Sequence, residues 1–562
     1  MKKIVLLTII VMLIFSVAAF GERFDRKETM YMTGGLWGPP SNFNPMAPWA
    51  AHPGVVGGIY ETLYFYNPLS DSLSPWLAES GEWTDEDTFK LVLRDNLTWS
   101  DGEPLTAEDV VYTFTLPENV DGIHFVSLYE KFESVKALDE KTVEFNFSDP
   151  VYQEWGYQLY QLPILPKHAW ENRTPEDITL GSNIDTCMGS GEYMLEGTTQ
   201  DRIIYIRNDN WWGNEVFGQP KPKRIVYLRA ISNNVVLGMM MKGEEIDLAN
   251  TFLPGIPAIK NAYGIHTYYD SAPYMPSDNT AFVFINTEKP GLDNADVRKA
   301  IAFAVNPSRI VNRVFENMVL PSNTLGFLPI DGWMKYYNEE LANEKGFYYD
   351  PEIAKELLEN AGMKDVNGDG FLELPDGIEF KIDIICPFGW TDWMESEKII
   401  SEDLRAVGIN CEAKFPDYNK YFDDLTSGAY NLAINNFNSK GTSTPWTLYN
   451  WLYADLIGDR ANNGNFGRVV DPVLNDLIDE FNRTPLDDEE RAMEVISEIE
   501  EIFLDTLPAI PFWYNGLWYE SNTQVWSNWP SAESDANPYY PCAWAGRWQE
   551  GLLKLLINVD LK

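Results

Sequence analysis

A loop of closely spaced side-chain oxygens lies between residues 365 and 376, where the sequence reads DVNGDGFLELPD. Asp365, Asn367 and Asp369 occupy the first, third and fifth positions of this loop, Gly370 the sixth and Asp376 the twelfth. Oxygen ligands at these positions, with glycine at the sharp turn, are typical of a calcium-binding loop. The twelfth position departs from that pattern, because aspartate is shorter than the usual bidentate glutamate. The sequence therefore predicts a structural calcium site, with a β-turn that needs no metal as the alternative.

Tryptophans that lie beside amides and hydroxyls, outside periodic apolar runs, form a second group with chemical potential. An indole face can cover the C–H face of a sugar ring, while neighbouring amide, hydroxyl and carboxylate groups bond the sugar's hydroxyls. The alternative is that these aromatic rings only fill loops. The candidate ligand-binding residues are Trp37, Asn42, Asn44, Trp390, Thr391, Asp392, Trp393, Asn436, Asn438, Trp446, Trp513, Asn515 and Trp518.

Catalytic chemistry has no comparable signal in this chain. The sequence contains no nucleophile elbow, phosphate-binding loop, zinc-protease motif or dinucleotide-binding glycine motif. Its 85 acidic residues make carboxylate pairs common, so no pair can be singled out. The four histidines are scattered without the spacing of metal ligands. We therefore expect a protein that is not an enzyme and has no cofactor apart from the calcium considered above.

Local patterns predict a mixed α/β protein. Residues 378–385 and 409–415 alternate as strands on either side of a helical pattern at 394–407, which indicates a βαβ unit with parallel strands. Residues 386–398 run from the first of these strands into the helix. Ligands of open α/β sheets bind outside the carboxyl ends of the strands, so this segment is a candidate site. Thr391 and Asp392 could instead cap the helix, which is the structural alternative.

Composition limits the partners and the compartment. Lysine and arginine number 42 against 85 acidic residues, giving a net charge of −43, which argues against nucleic acid and anionic membranes as partners. Residues 1–21 combine Lys2 and Lys3, an apolar run and the small residues Ala19 and Gly21. This is the layout of a cleaved secretory signal peptide, so we expect a secreted, periplasmic protein.

Four stretches, in order, resemble the signature of the family 5 periplasmic solute-binding proteins, the receptors of ABC importers for peptides, nickel chelates and oligosaccharides. They are FKLVLRDNLTWSDGEPLTAEDVVYTF at 89–114, GSGEYMLEGTTQDRIIYIRNDNWWG at 189–213, VFINTEKPGLDNADVRKAIAFAVNPSRIV at 283–311 and LPAIPFWYNG at 507–516. The resemblance spans about residues 30–560.

The resemblance implies an α/β, two-lobe periplasmic binding protein fold (class II-like, cluster C) with an extra subdomain in the first lobe. The first lobe would take residues 22–275, including the extra subdomain at 52–180, and the chain would return to it at 508–562. The second lobe would take residues 276–507. The resemblance also implies a monomer that delivers its ligand to the transmembrane subunits of an ABC permease. Its two lobes would close around hinges at residues 274–279 and 507–512. Cys187 and Cys542 would lie in one lobe, where they could pair, although four cysteines allow three pairings.

One segment bears on the choice of ligand. Peptide receptors of this family carry, in a segment resembling W-x-x-D-Y-P-D, an aspartate that pairs with the peptide's ammonium group. The corresponding stretch here, residues 429–451, offers Asn435, Asn436 and Asn438 instead. A buried ammonium without a counter-charge is heavily penalised, whereas neutral amides suit neutral hydroxyls. We therefore expect a β-linked gluco- or manno-oligosaccharide, with an oligopeptide as the alternative, and Trp390 as a ring that stacks on sugar.

Overall fold

The computed structural model describes residues 24–36, 38–46, 52–123, 125–230, 232–436, 444–456, 459–461, 464–533 and 550–562. The predicted signal peptide and two predicted site residues, Trp37 and Asn438, lie outside these ranges. So does Cys542, and its predicted pairing with Cys187 therefore lies outside the described residues. Across the described ranges, no helix combines the length and the apolar character needed to cross a membrane.

A seven-stranded mixed sheet forms the centre of what we call lobe I. Its strand Thr29–Thr33 runs parallel to two neighbours, and the remaining pairs are antiparallel. One short strand from the C-terminal part of the chain, Glu520–Asn522, joins strands from its first half, so this sheet combines segments that are distant in sequence. The strand order is Ile265–His266, Glu520–Asn522, Leu248–Ala249, Thr29–Thr33, Arg224–Leu228, Arg202–Arg207 and Tyr193–Thr199.

An antiparallel four-stranded sheet, also counted in lobe I, lies within the predicted extra subdomain at 52–180. Its order is Ala78–Trp83, Thr88–Leu93, Thr142–Phe147 and Phe132–Ala137, and the pair Tyr64–Asn67 and Ser72–Pro75 lies beside it in sequence. Phe89, Leu91 and Leu93 are buried while the residues between them are partly exposed, as the alternating pattern of a half-buried strand requires. A second two-stranded pair, Trp526–Ser527 with Asp560–Leu561, completes the lobe.

One buried carboxylate connects the extra subdomain to the seven-stranded sheet. Glu61 is fully buried and accepts hydrogen bonds from three indole N–H groups, those of Trp76 at 2.8 Å, Trp211 at 3.0 Å and Trp212 at 2.8 Å. Burial raises the pKa of Glu61 to about 7, while the indole hydrogen bonds act in the opposite direction. The carboxylate therefore satisfies three indole donors, two of them buried and that of Trp212 partly buried.

A five-stranded sheet forms the centre of lobe II. Its order is Asn410–Lys414, Lys381–Ile385, Leu432–Asn436, Ser277–Ile285 and Ala509–Gly516, with the first three strands parallel. The predicted βαβ unit is confirmed, although its helix, Thr391–Ala406, begins three residues earlier than the expected 394. Ala509–Gly516 falls in the segment predicted to return to the first lobe, yet it pairs here with Ser277–Ile285. The lobe boundaries themselves stay predictions.

Helices cover these sheets. Those of lobe I are Ala107–Phe114, Val126–Tyr129, Tyr152–Gln161, Lys167–Trp170, Pro175–Leu180, Asn233–Lys242, Ile256–Tyr263 and Glu550–Asn558. Those of lobe II are Ala295–Ala304, Pro307–Arg313, Asp331–Met334, Glu339–Lys345, Pro351–Asn360, Thr391–Ala406, Tyr418–Ser427, Trp446–Leu452, Pro472–Arg483 and Glu489–Thr506. Short 3₁₀ turns occur at Leu116–Glu118, Ile184–Thr186 and Trp212–Asn214.

Polar contacts hold the extra subdomain against lobe II. The side-chain oxygen of Asn482 accepts the backbone N–H of Glu154 at 2.9 Å, and its amide nitrogen donates to the carboxylate of Glu154 at 3.4 Å. Both side chains are buried. Beside them Arg483 donates to the carboxylate of Asp149 at 3.3 Å in an ion pair that is partly exposed. The two lobes therefore touch at a polar junction in addition to the segments where the chain crosses.

Candidate functional site

A cavity with a volume of about 70 Å³ lies between the two lobes. Residues from both lobes form its walls, and the carboxyl-terminal ends of lobe II strands supply most of one side. Such clefts between lobes are where α/β proteins commonly bind small molecules. The lining residues are Asn233, Thr251, Phe252, Gly389, Trp390, Asp392, Trp393, Asn436, Asn515 and Trp518.

The segment from Gly389 to Trp393 forms the lobe II wall. Gly389 has a φ of +96°, which favours glycine, and no atom lies within 4 Å of the place where a Cβ would stand. Trp390 follows at the N-cap of the helix, half-exposed, and its ring meets that of Trp393 edge to face at 5.0 Å. Trp393 is only 4% exposed. The two rings thus differ in role, because Trp390 offers its surface to the cavity whereas Trp393 supports it from behind.

Asp392 is the one ionisable side chain among the ten lining residues. It lies in the first turn of helix Thr391–Ala406, where the positive end of the helix dipole favours a carboxylate. The side chain is 8% exposed, and this burial raises its pKa to about 6, while nearby backbone N–H groups act in the opposite direction. At neutral pH the carboxylate is mostly ionised, so it can accept hydrogen bonds from ligand donors.

One amide connects the two lobes across the cavity. Asn233 of lobe I donates from Nδ2 to the hydroxyl oxygen of Thr391 at 3.2 Å and accepts at Oδ1 from the hydroxyl of Thr251 at 3.1 Å. Trp390, and not Thr391, occupies the N-cap position of the helix, whereas Thr391 is its first residue. The hydroxyl of Thr391 therefore lies at the edge of the cavity and bonds the opposite lobe.

Two further amides come from the two strands of lobe II that flank Ser277–Ile285. Asn436 donates from Nδ2 to the side-chain oxygen of Asn279 at 2.9 Å. Asn515, paired with Asn279 in the sheet, is 2% exposed, and its side-chain oxygen is buried without a hydrogen-bond donor. A buried acceptor that lacks a donor is costly, and such groups call for a water or ligand partner. Asn515 therefore offers an unused acceptor to a ligand hydroxyl or N–H.

Aromatic rings close the remaining side of the cavity. Trp518 packs edge to face on Phe252 at 5.2 Å, and its ring stacks at 6.1 Å on Phe315, which lies behind it. Trp513 is not part of the lining; it is fully buried, and its ring contacts that of Phe315 at 5.7 Å. Trp518 thus faces the cavity, and Trp513 belongs to the core beneath it.

The cavity brings together six of the predicted site residues, namely Trp390, Asp392, Trp393, Asn436, Asn515 and Trp518, with Thr391 at its edge. Their contact with a ligand stays a prediction. Four others are placed away from the lining. The amide of Asn44 is buried and donates to the backbone oxygens of residues 178 and 181, and Asn42 accepts the backbone N–H of Asn44. Trp446, like Trp513, is buried in the core.

Sequence reasoning missed three lining residues of lobe I, namely Asn233, Thr251 and Phe252. They follow the carboxyl ends of Arg224–Leu228 and Leu248–Ala249, two strands that run parallel to Thr29–Thr33. The rule that ligands bind at such ends could have found them. To apply that rule, one must know that these strands pair in parallel with Thr29–Thr33. They are distant from it in sequence, and one of them is only two residues long.

The predicted calcium loop is folded as a network of turns. Asp365 accepts the backbone N–H groups of Gly368 at 2.6 Å and Gly370 at 3.0 Å, and Asn367 accepts that of Asp369 at 2.8 Å. The twelfth residue, Asp376, accepts the backbone N–H of residue 378 instead. Within the described parts of the chain, no three or more histidine, cysteine, aspartate or glutamate side chains are grouped as metal ligands. These contacts favour the turn, and calcium binding stays untested.

Comparisons with known proteins agree with this architecture. Residues 72–458 match the model of the bacterial extracellular solute-binding proteins, family 5 middle region. A periplasmic oligopeptide-binding protein of an ABC transporter from Thermotoga maritima, solved with mannohexaose bound, is 46% identical, with a TM-score of 0.91 over 96% of this chain and 100% of that one. The oligopeptide-binding protein OppA of Bacillus subtilis is 24% identical over 92% of this chain and 96% of its own length.

A third relative is the nickel-binding periplasmic protein of Escherichia coli, which is 26% identical over 66% of this chain and 69% of its own length. The relatives thus share a fold and a role as receptors while they differ in ligand. Because the family model covers more than half of the chain, and the Thermotoga maritima relative aligns over nearly all of it, this chain belongs to the family 5 extracellular solute-binding proteins of ABC transporters.

Proposed function

We propose that the protein captures a neutral β-linked oligosaccharide, of gluco or manno type, between its two lobes and delivers it to an ABC permease. The observation that carries the proposal is the chemistry of the cavity wall. Four aromatic rings, three amides and one hydroxyl line it, and no lysine, arginine or histidine is among the ten residues. Aromatic faces suit the C–H faces of pyranoses, and amides bond hydroxyls in either direction.

The lack of a cation in this lining set also bears on ligands that carry a carboxylate. An ionised carboxylate buried in such a cavity would lack a counter-charge, which costs several kcal/mol. A neutral oligosaccharide avoids that cost. The 46% identical relative was solved with mannohexaose, which supports the same class of ligand here.

Lobe closure would complete the site. Asn233 and Phe252 from lobe I face Trp390 and Asp392 from lobe II across the cavity, so a ligand that touches both sides favours the closed form. The shift can be no larger than the difference in ligand affinity between the closed and open forms. The closed form is the one that the permease would recognise, in a periplasmic compartment reached through the signal peptide at 1–21. We expect a monomer that returns its ligand chemically unchanged.

An oligopeptide is the second candidate, and Asp392 is the observation that favours it. A carboxylate at the cavity wall could pair with a peptide ammonium even though Asn435 and Asn436 replace the carboxylate expected further along the chain. The name of the 24% identical relative OppA points the same way. Asp392 is compatible with sugar as well, because a carboxylate accepts bonds from vicinal hydroxyls.

Calorimetry with mannohexaose, cellohexaose and a tripeptide separates the two candidates. We expect binding of at least one hexaose and none of the tripeptide. A ligand present at about 100 times its dissociation constant should also stabilise the fold by roughly 2.7 kcal/mol in thermal melts. Micromolar binding of the tripeptide, with no response to either sugar, would refute the proposal. Recovery of intact hexaose after long incubation tests the absence of catalysis.

A further inference from the structure

Three strongly exposed aromatic side chains lie on lobe II close to the cavity. Phe388 is 71% exposed, Tyr418 55% and Phe422 46%. In the described ranges only three other aromatic side chains are exposed to a similar degree, and they belong to other elements: Tyr263, Tyr348 and Tyr349. Exposed aromatic clusters are costly in water and commonly mark a binding surface.

The sheet topology places this surface beside the cavity. The parallel strands Asn410–Lys414, Lys381–Ile385 and Leu432–Asn436 are neighbours in that order. The cavity takes Gly389 to Trp393 after the second strand and Asn436 at the end of the third, whereas Tyr418 follows the first. Adjacent strands are about 4.8 Å apart, so the aromatic surface continues the site by one strand toward the edge of the sheet.

A row of ring contacts connects the cavity with this surface. Inside the cavity wall Trp390 meets Trp393 at 5.0 Å, and on its other side it contacts Tyr418 at 6.0 Å. Tyr418 in turn stacks on Phe422 at 6.3 Å with an angle of 17° between the rings. The backbone N–H of Phe388 donates to the oxygen of residue 416 at 2.8 Å, which fixes the Phe388 loop beside the start of that helix.

The size of the cavity indicates what the surface could bind. Its volume of about 70 Å³ lies well below the roughly 300 to 1,000 Å³ of pockets that enclose a drug-sized molecule, so it has room for only part of an oligosaccharide. A longer oligosaccharide must therefore leave the cavity. Flat, uncharged ring faces one strand away match the C–H faces of the sugar rings that emerge.

We propose that Tyr418 and Phe422, with Phe388 beside them, form an outer subsite that binds the sugar rings of longer oligosaccharides as they extend from the cavity past Trp390. This inference rests on the proposed function, because it assumes that the cavity holds an oligosaccharide. It adds a length preference: the protein should bind a hexaose more tightly than a disaccharide or trisaccharide of the same linkage.

The test compares mannobiose, mannotriose and mannohexaose, or the corresponding cello-oligosaccharides, in calorimetry with the wild type and with a Tyr418→Ser, Phe422→Ser double variant. We expect the wild type to gain affinity with length. The double variant should lose about tenfold for the hexaose and less than twofold for the disaccharide. Tyr348→Ser, at an equally exposed tyrosine elsewhere in lobe II (62%), is the matched control and should change neither.

Several outcomes would overturn the inference. These are an unchanged hexaose affinity in the double variant, an equal loss at all lengths, or a wild type without length dependence. Reduced transport with unchanged hexaose affinity would assign the surface to the permease instead. If the double variant melts early, Phe388→Ser replaces it, because that side chain is the most exposed of the three. A wild type that binds no sugar of any length would refute the proposed function, and the outer subsite with it.

Discussion

Replacing Trp390 with alanine is the sharpest test of the cavity as the binding site. The ring is half-exposed, lines the cavity and is supported by Trp393 at 5.0 Å and by Tyr418 at 6.0 Å. Truncating an aromatic ring that carries a binding hot spot costs at least about 2 kcal/mol. That cost corresponds to a dissociation constant for mannohexaose that is roughly 30-fold larger. The fold should persist, because Trp390 makes no side-chain capping bond to the helix that follows it.

Calorimetry with mannohexaose measures this effect, and two variants make it specific. Trp390→Phe keeps a ring face, so it should lose less affinity than Trp390→Ala. Trp83→Ala removes another half-exposed tryptophan, one that packs on Phe89 and Phe147 in the four-stranded sheet, and should leave the affinity unchanged. An affinity within twofold of wild type in Trp390→Ala, with an intact melting transition, would contradict the assignment of the site.

Three further predictions concern ionisable groups. Because Asp392 titrates near pH 6 and its ionised form is the better acceptor, hexaose affinity should fall by at most about tenfold from pH 8 to pH 5. Asp392→Asn should abolish that dependence in calorimetry at the two pH values, and a pH dependence unchanged in the variant would contradict the role. Glu61→Ala leaves three indole donors unsatisfied, two of them buried, so the free energy of unfolding measured with denaturant should fall by about 3 kcal/mol, with Glu61→Gln intermediate. The raised pKa of Glu61 means that its neutral form is favoured in the folded state. The stabilisation that comes from protonation of Glu61 is therefore fully present below about pH 4.5 and is lost as pH rises through about 7. Glu61→Gln cannot titrate, so its stability should lack this pH dependence. For the loop of Asp365 and Asp369 we retain calcium binding as a proposal: calcium should raise the melting temperature of chelator-treated protein and fail to do so in Asp365→Asn. An unchanged melting temperature and no metal by elemental analysis would leave the loop as a turn only.

The lobe II wall of the site could be predicted from the sequence because its determinants are local. A strand, a glycine turn and a helix follow one another between residues 381 and 406, and the position after the strand places Trp390, Asp392 and Trp393 at the carboxyl edge of the sheet. Periodicity predicted the strand and the helix, while the start of the helix was three residues earlier than expected. Such boundaries depend on cap geometry, which periodicity does not record.

The rest of the site depends on contacts between distant residues. Trp513 and Trp518 have similar neighbours in sequence, yet only Trp518 lines the cavity, and both rings pack on Phe315 from another segment. Asn44 has the same local appearance as a ligand-binding amide, but backbone oxygens more than 130 residues away occupy its donors. Partners at that separation are set by the tertiary fold, which no local pattern contains.

The junction of Glu154 and Asn482 could change the affinity of this receptor without changing its ligand specificity. These buried contacts join the extra subdomain to lobe II, and neither residue is among those that line the cavity. If they form only when the lobes are closed, they contribute the same free energy to closure whichever ligand is present and act as a fixed bias on the open–closed balance. Apparent affinity scales with the fraction of molecules that can close, and a change at Asn482 would therefore shift the affinity for every ligand by one common factor. Evolution could thus retune this receptor to a scarce or an abundant nutrient at the junction, while the residues that recognise the nutrient remain unchanged.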